Sequence, residues 1–271
     1  MKICFFAPVP DKQMLDRVEF YRQDIDILKS LGGDLVISTK WNEIPRDADL
    51  YFVWWWTWAF MPLVKAKLAG KPLIITGSFD HPLPQGGWEF DRRPLLHKWL
   101  IRWALRQADA NVFVSRLEHE RIPGKLRVNR PVYIPHIVDE SVYQATDGAE
   151  EDFVMTIAWM ENGNSTRKCI PEIIRAAKLV VDQHPRVRFV IAGERGSDCE
   201  KLSALASSLG VRSSMVDARS PESIAQGIIK VLNNDAYRAK LRRDGVERAR
   251  SVFPFARRKD EIEALIRSIV K

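Results

Sequence analysis

The sequence predicts an α/β protein in which helices cover both faces of a parallel sheet. Apolar runs of strand length alternate with segments of helical periodicity along most of the 271 residues. The apolar runs are continuous, which is typical of strands buried on both faces. Apolar residues make up 46% and charged residues 28% of the chain, as in a folded globular protein rather than a disordered one.

Residues 1–150 contain the first set of elements and are predicted to form one doubly wound domain. Helical spacing relates Val18, Tyr21, Ile25 and Leu28, and Gly32 and Gly33 follow that helix. Two further helices are predicted at 59–68 and 93–109. The predicted strands cover 2–8, 34–39, 48–56, 72–78, 110–115 and 131–136. Ligands of such sheets bind beyond the carboxyl ends of the strands.

A cluster of tryptophans, "YFVWWWTWAF" (51–60), lies at one of these strand ends. The apolar run around it extends only from Leu50 to Val64 and contains Pro62, whereas a membrane-spanning helix needs about 20 apolar residues. The run therefore does not predict a membrane span. Two interpretations stay open: all four tryptophans are core residues, or Trp56 and Trp58 line a binding cleft.

A second domain is predicted at 151–271, after a polar, acidic linker at 139–152. Strands at 153–159 and 186–193 alternate with helices at 169–185 and 199–210. A third strand is predicted at most around 214–218, although doubly wound domains often have about six strands. The second domain is therefore predicted to be incomplete, with its shortening near 211–218. The last helix, 256–270, is a candidate for packing back on the first domain.

Several segments, taken in their order along the chain, resemble the large family 4 of retaining glycosyltransferases. They are "MKICFFAP", "AGKPLIITGSFDH", "ADANVFVSRLEHERI", "VYIPHIVDESVY", "TIAWMENGNSTRKCIPEII" and "SPESIAQGIIKVL". The resemblance implies a GT-B fold with two facing Rossmann-like domains. It also implies transfer of a sugar from a nucleotide sugar to an acceptor, with retention and with the donor's own phosphate as the base.

One departure from this family concerns the donor side. The family carries a Glu-x7-Glu motif there, and no glutamate of this chain has another eight positions on. We therefore expect transfer by this chain to be impaired. The alternative is a non-catalytic module that binds a sugar or a partner on a degenerate GT-B scaffold.

The resemblance implies roles for residues that follow strands. His81 would face the transferred sugar, and Asp80 beside it could orient the imidazole. Lys168 would bind the donor phosphates with Arg167 as its neighbour, since the start of a helix combines free N–H groups with fixed positive charge. An Arg-Lys pair can equally be two solvated surface charges.

Gly193 and Glu194 follow the second strand of the predicted donor domain. Gly193 would let the backbone approach a donor ligand, and Glu194 is the next residue of the same loop. A plain turn is the other interpretation, because glycine commonly ends strands.

No His, Cys, Asp or Glu set has metal-ligand spacing, so the sequence predicts no metal and no cofactor beyond the nucleotide-sugar co-substrate. The three cysteines form no C-x-x-C pair, which favours a reducing cytoplasm. The net charge of +7 is compatible with phosphorylated molecules, an anionic membrane or nucleic acid. Nucleic acid is disfavoured, because no binding motif accompanies the charge.

The predicted helix at 93–109 is basic and carries Trp99 and Trp103. It is either an ordinary packed helix with a basic outer face or a helix that lies on an anionic bilayer, as a lipid-linked acceptor would require. The shortened second sheet would expose strand edges, and such edges favour a homodimer or another partner.

Overall fold

The structure, a computed structural model, describes residues 1–79, 89–144, 153–158, 160, 164–193, 196–209 and 221–270. The chain divides into two compact units. The first unit contains Met1–Gln144 and Arg248–Lys271, and the second contains Ala145–Glu247. The boundary was predicted after residue 150, with the last helix, 256–270, as a candidate for packing back on the first domain. In the structure this helix belongs to the first unit.

The first unit is built on a six-stranded parallel sheet with the order β2-β1-β3-β4-β5-β6. Its strands are Lys2–Phe6 (β1), Asp34–Ser38 (β2), Leu50–Trp54 (β3), Leu73–Gly77 (β4), Ala110–Phe113 (β5) and Pro131–Tyr133 (β6). All five neighbouring pairs run parallel. The predicted α/β class and parallel sheet are therefore confirmed.

Within residues 1–79 and 89–144, six helices accompany this sheet. They are Met14–Arg17 (α1), Glu19–Ser30 (α2), Phe60–Ala69 (α3), Glu89–Arg92 (α4), Leu95–Gln107 (α5) and Arg116–Lys125 (α6). A short 3-10 turn at Trp41–Glu43 follows β2. Helix α3 ends at Gly70, whose φ of 63° is the left-handed conformation that glycine adopts at helix ends.

The core of the first unit has two layers, one on each face of the sheet. Alternate strand residues such as Phe5, Phe52 and Trp54 face α2 and the C-terminal helix. The intervening residues, such as Phe6 and Val53, face α3 and α5. Successive side chains of a strand point to opposite faces, so continuous apolar strands supply both layers at once.

The second unit contains a two-stranded parallel sheet within the described residues, formed by Phe153–Ile157 (β7) and Arg188–Ala192 (β8). The third strand predicted around 214–218 lies outside the described residues. The helices that follow are Asn164–Arg167 (α7), Ile170–Val181 (α8), Cys199–Ser208 (α9), Pro221–Leu232 (α10) and Asp235–Val252 (α11). The last helix of the chain, Phe255–Ile269 (α12), returns to the first unit.

The two faces of the β7–β8 sheet differ in burial. Val154 and Phe189 pack with α8 and α10 on one face. The opposite face presents four apolar side chains that are well exposed in the described part of the chain. These are Phe153 (41%), Met155 (52%), Ile157 (72%) and Val190 (38%).

A buried ion pair fixes α12 to the first unit. The Arg258 guanidinium donates to both carboxylate oxygens of Asp24 on α2, at 2.7 and 2.8 Å. It also donates to the backbone carbonyls of Ile134 and Pro135 after β6, each at 3.0 Å. The side chains of Arg258 and Asp24 are only 1% and 0% exposed. The pair is thus bidentate and fully desolvated, which is the geometry in which arginine binds carboxylates most strongly.

The chain leaves and re-enters the first unit at adjacent positions. The Val138 N–H donates to the Phe253 carbonyl at 2.8 Å. Val138 and Pro254 also form an isolated parallel bridge. The segment that follows β6 and the segment that precedes α12 are therefore held side by side.

We expect Arg258→Met to lower the free energy of unfolding of the first unit by about 3–5 kcal/mol, because Asp24 would remain buried without its counter-ion. Urea unfolding followed by tryptophan fluorescence measures this, since eight of the nine tryptophans lie before residue 104. The matched control is Arg267→Ala on the same helix. Its ion pair with Glu263 is largely exposed, so its cost should stay below about 1 kcal/mol. Equal losses in the two variants would contradict the prediction.

Candidate functional site

The strand order of the first sheet reverses at β1. This strand pairs with β2 on one side and with β3 on the other. The connection after β1 leads to α2 on one face, and the connection after β3 leads to α3 on the opposite face. The carboxyl ends of β1 and β3 therefore form the topological switch point of the sheet, and doubly wound sheets bind their ligands in the crevice at such a point.

Trp55, the first residue after β3, lies at this crevice in an unusual backbone conformation. Its φ is 74°, the left-handed region that large L-residues rarely adopt. Two hydrogen bonds hold it there. Its backbone N–H donates to the Thr76 carbonyl at 3.0 Å, and its indole N–H donates to the Tyr21 hydroxyl at 2.5 Å. Strain of this kind concentrates at functional sites, and Trp55 is half-buried.

Two titratable side chains near the end of β3 are neutral: Tyr21, which contacts Trp55, and His136, which contacts Trp54. Burial raises the pKa of Tyr21 to about 12 despite the bond from Trp55. Burial, and then the positive charge of Arg258, lower the pKa of His136 to about 4. The His136 ring stacks on Trp54 with 5.8 Å between ring centroids and 3° between ring planes. The aromatic groups at this strand end therefore carry no net charge at neutral pH.

Three buried polar atoms near the carboxyl edge have no hydrogen-bond partner in the described part of the chain. They are Trp54 Nε1, Thr76 Oγ1 and His136 Nδ1. Trp54 and Thr76 are register partners on β3 and β4, so their side chains share one face of the sheet. Unsatisfied buried polar atoms are few in native structures, and an ordered water or a bound group can satisfy them.

Trp56 is a core residue, so the prediction that it lines a cleft is wrong. It is 2% exposed. Its indole N–H donates to Asn111 Oδ1 at 2.8 Å, and its ring stacks on Phe113 at 5.1 Å. The left-handed turn at Trp55 ends the strand and directs Trp56 back into the layer beneath α3 and α5.

Trp58 is 43% exposed and lies at the start of α3. Its ring centroid is 5.8 Å from that of His97 on α5. The sequence analysis did not single out Trp55. Three adjacent tryptophans gave no indication of which residue would end the strand.

Asp80 and His81 lie outside the described residues, so their roles stay predictions. The chain just before them is well anchored by Glu118, which is buried at the start of α6. Glu118 accepts a hydrogen bond from the Ser78 hydroxyl and another from the Phe79 N–H, each at 2.8 Å. A lone glutamate in a helix has no sequence signature for this role, and the sequence analysis missed it.

In the second unit, Arg167 and Lys168 lie at the junction of α7 and α8, and both are exposed. Arg167 ends α7 and donates to Asn164 Oδ1. Lys168 lies in the break before α8, where Cys169 has a φ of 57°. The Ser165 hydroxyl donates to Asp198 Oδ2 at 2.6 Å, which ties α7 to the residue before α9. Lys168 is thus presented at the start of a twelve-residue helix.

Gly193 ends β8 with a φ of 145°, and a Cβ at this position would lie 1.9 Å from the Ala158 carbonyl oxygen. The close approach that requires glycine here is to the neighbouring strand end. Glu194 lies outside the described residues. A donor-binding role for Gly193 and Glu194 stays a prediction.

Among the described residues, no three His, Cys, Asp or Glu side chains are grouped so that they could hold a metal ion. None of the helices in the described ranges is long and apolar enough to cross a bilayer.

The first unit has Rossmann-like α/β topology with a strand-order reversal at β1, and the described part of the second unit contains the parallel β7–β8 pair. Solved structures of other proteins share this fold. Anabaena HepE in complex with UDP aligns with a TM-score of 0.56 and 14% identity, over 82% of this chain and 70% of that chain. Sucrose-phosphate synthase from Thermosynechococcus elongatus aligns with a TM-score of 0.53 and 13% identity, over 83% of this chain and 72% of that chain.

These structural neighbours are GT-B glycosyltransferases, so the predicted GT-B-like fold class is confirmed. HepE has also been crystallised with UDP-glucose. No protein-family model matches the chain. No curated protein matches it either. Membership of family 4 stays a prediction.

The low pKa of His136 makes the first unit sensitive to acid. The folded state holds this imidazole neutral down to a pH of about 4, whereas an unfolded histidine takes up its proton near pH 6.5. The stabilisation is therefore complete above pH 6.5 and is lost as the pH falls towards 4. We expect His136→Phe, which keeps an aromatic ring against Trp54, to lose less stability than the wild type between pH 7 and 4.5. The difference should be on the order of 2 kcal/mol, and urea unfolding at both pH values measures it. Parallel pH dependences would contradict this assignment.

The backbone contact at Gly193 predicts that Gly193→Ala destabilises the second unit by more than about 2 kcal/mol. Hydrogen exchange of the 153–193 amides measures the loss. Gly245 on α11 is the matched control, because a Cβ there meets nothing within 4 Å. Gly245→Ala should leave exchange of these amides unchanged and stabilise its own helix by up to about 1 kcal/mol. If the exchange rates of these amides were the same in Gly193→Ala and in the wild type, the prediction would be wrong, because the ends of β7 and β8 could then move apart without loss of stability.

Proposed function

We propose that this protein is a retaining glycosyltransferase of family 4 type, which moves a sugar from a nucleotide sugar to an acceptor hydroxyl. The observation that carries the proposal is the pair of Rossmann-like units, together with fold similarity to glycosyltransferases that include a UDP complex. A crevice with a strained aromatic residue in the first unit supports an acceptor side there.

Lys168 and Arg167 are the proposed contacts to the donor diphosphate. Both side chains are exposed, and Lys168 lies in the break between α7 and α8. The helix dipole contributes only about 0.3–1 kcal/mol to anion binding, so fixed side-chain charge is needed as well. UDP is the first nucleotide to test, because HepE was crystallised with UDP and with UDP-glucose.

The proposed reaction breaks the bond between the anomeric carbon and the donor phosphate oxygen. The acceptor hydroxyl forms its bond to the same face of the sugar, and its proton passes to the departing phosphate. The nucleoside diphosphate is the leaving group, and no protein nucleophile is required. His81, oriented by Asp80, is proposed to contact the transferred sugar.

The acceptor is proposed to lie over the carboxyl edge of the first sheet, against Trp55 and Trp58. An aromatic face with neighbouring hydrogen-bonding groups suits a sugar ring, which has both apolar C–H edges and hydroxyl groups. Trp55 replaces Trp56 in this proposal, because Trp56 is buried.

Turnover by this chain is expected to be weak. The family's paired glutamates would contact the sugar and the ribose, and the chain has no such pair. Losing even one such hydrogen-bonding group in a transition state costs about 10²–10³ in rate. Nucleotide binding through Lys168 does not require those carboxylates. A binding measurement therefore tests the proposed donor site more directly than a turnover assay does.

We expect UDP or another nucleoside diphosphate to raise the thermal unfolding midpoint of the protein. A ligand at 100 times its Kd stabilises the folded state by about 2.7 kcal/mol. Lys168→Ala should abolish the rise. UDP, GDP, ADP and their glucose conjugates are measured in parallel by thermal shift.

Lys178→Ala is the matched control for this experiment. Lys178 lies on α8, ten residues after Lys168, and pairs with Asp182 at the surface. Its removal should leave the nucleotide-dependent rise intact. A rise that survives Lys168→Ala would show that this lysine does not bind the donor. If no nucleotide raises the midpoint of the wild type, the proposed function is wrong.

A further inference from the structure

One face of the β7–β8 sheet in the second unit is apolar and exposed. We call it the open face, and its members are Phe153, Met155, Ile157 and Val190, of which Ile157 is the most exposed at 72%. The residues between them along the strands pack with α8 and α10. Parallel strands are normally buried on both faces, as β3 and β4 of the first sheet are. An exposed apolar sheet face therefore marks an interaction surface.

The register of the two strands brings the members of the open face together. Met155 and Val190 are register partners in the middle of the pair. Phe153 and Ile157 are the first and last residues of β7. Side chains two residues apart on a strand point to the same face, so the open face is about 13 Å long at about 3.3 Å per residue.

The open face carries very little charge. Arg188, the register partner of Phe153, is the one charged residue in β7 and β8. It lies at the amino-terminal end of the face, and the middle and the carboxyl-terminal end are apolar. A single cation at the border is too little to attract a nucleic acid or an anionic bilayer. A flat, apolar and nearly uncharged surface is complementary to a copy of itself.

We propose that the open faces of two copies of this chain pack against each other in a two-fold symmetric dimer. The two-fold axis crosses the strands at Met155, so that the strands of the two copies run in opposite directions. Ile157 of each copy then lies opposite Phe153 of the other, as a two-fold interface requires. Two sheets that pack face to face are about 10 Å apart, and the side chains of both inner faces fill that space.

This arrangement keeps the like charges of the two copies apart. Arg188 lies two residues from the middle of the strand pair. The two-fold axis therefore places the arginines of the two copies at opposite ends of the contact, about 13 Å from each other along the strands. That distance exceeds the Debye length of about 8 Å at physiological salt, so their repulsion is largely screened.

The size of the open face indicates a weak, reversible dimer. Four partly exposed side chains present on the order of a few hundred Å² of apolar surface, whereas a standard interface buries about 800 Å² per partner. Polar residues at the rim add area but little affinity. We therefore expect a dissociation constant on the order of 10 μM.

The contact proposed here differs from the one expected from the sequence, which relied on exposed strand edges. It uses a sheet face whose side chains are apolar in both strands. It also does not depend on nucleotide binding, because no member of the open face is a proposed donor contact. The dimer can therefore be tested separately from glycosyl transfer.

Sedimentation equilibrium of the full chain at about 1 μM and about 100 μM measures this association. We expect mostly monomer at the lower concentration and mostly dimer at the higher one. Raising NaCl to about 0.5 M should leave the dimer intact, because the contact is apolar. Met155→Thr/Ile157→Thr keeps strand-compatible residues and should raise the dissociation constant at least tenfold.

Leu179→Gln/Leu241→Gln is the matched control. It removes two leucines of the second unit that are 37% and 42% exposed but lie on helices, outside the open face. It should associate as the wild type does, and circular dichroism verifies that every variant is folded.

A cross-linking experiment tests the arrangement even if the threonine variant fails to fold. A short thiol-reactive cross-linker should join two copies of Met155→Cys, because this position lies on the two-fold axis. It should not join copies of Leu179→Cys or of the wild type, whose own cysteines lie outside the open face. A chain that remains monomeric at about 100 μM overturns the proposal. So do equal losses in the threonine and glutamine variants, dissociation by salt, or equal cross-linking of the two cysteine variants.

Discussion

The Arg258–Asp24 ion pair is the interaction on which the arrangement of the first unit depends. It joins residues 234 positions apart, and its guanidinium also donates to the backbone carbonyls of Ile134 and Pro135, which follow β6. Because both side chains are buried, neither charge is stable without the other. Burial lowers the pKa of the nearby His136 most, and the Arg258 charge lowers it further, while Asp24 acts in the opposite direction. Attachment of the C-terminal helix and part of the lowering of the His136 pKa are thus two results of one buried cation.

The crevice of the first sheet shows how backbone strain can be maintained. Trp55 keeps its left-handed conformation because hydrogen bonds from its backbone and its indole hold it in place. Gly77 on the neighbouring strand leaves room for its ring, since a Cβ there would lie 3.2 Å from Trp55 Cε3. The packing that makes Trp56 a core residue therefore also makes Trp55 the partly accessible one. The partial exposure of Trp55 is thus a consequence of how the strand ends.

Much of the fold could be predicted from the sequence, whereas the site could be predicted only in part. Continuous apolar runs predicted the parallel strands, because strands buried on both faces need no polar alternation. The prediction that Trp56 lines a cleft was wrong, because the left-handed conformation of Trp55 ends the strand and turns the Trp56 side chain into the core. Glu118 and Arg258 could not be found, because each acts on residues far away in the chain. Local patterns carry periodicity, but they carry no information about such long-range partners.

The paired positions Val138 and Pro254 have a consequence for how the protein tolerates change. Their contact joins the two ends of the chain segment that contains the whole second unit, so for the first unit this segment is a closed loop. The entropy of closing a loop depends only logarithmically on its length, so halving this segment changes the closure term by about 0.6 kcal/mol. Insertions and deletions between these two positions therefore cost the first unit almost nothing. A protein with this connectivity can lose or gain strands in one half while the other half keeps its fold.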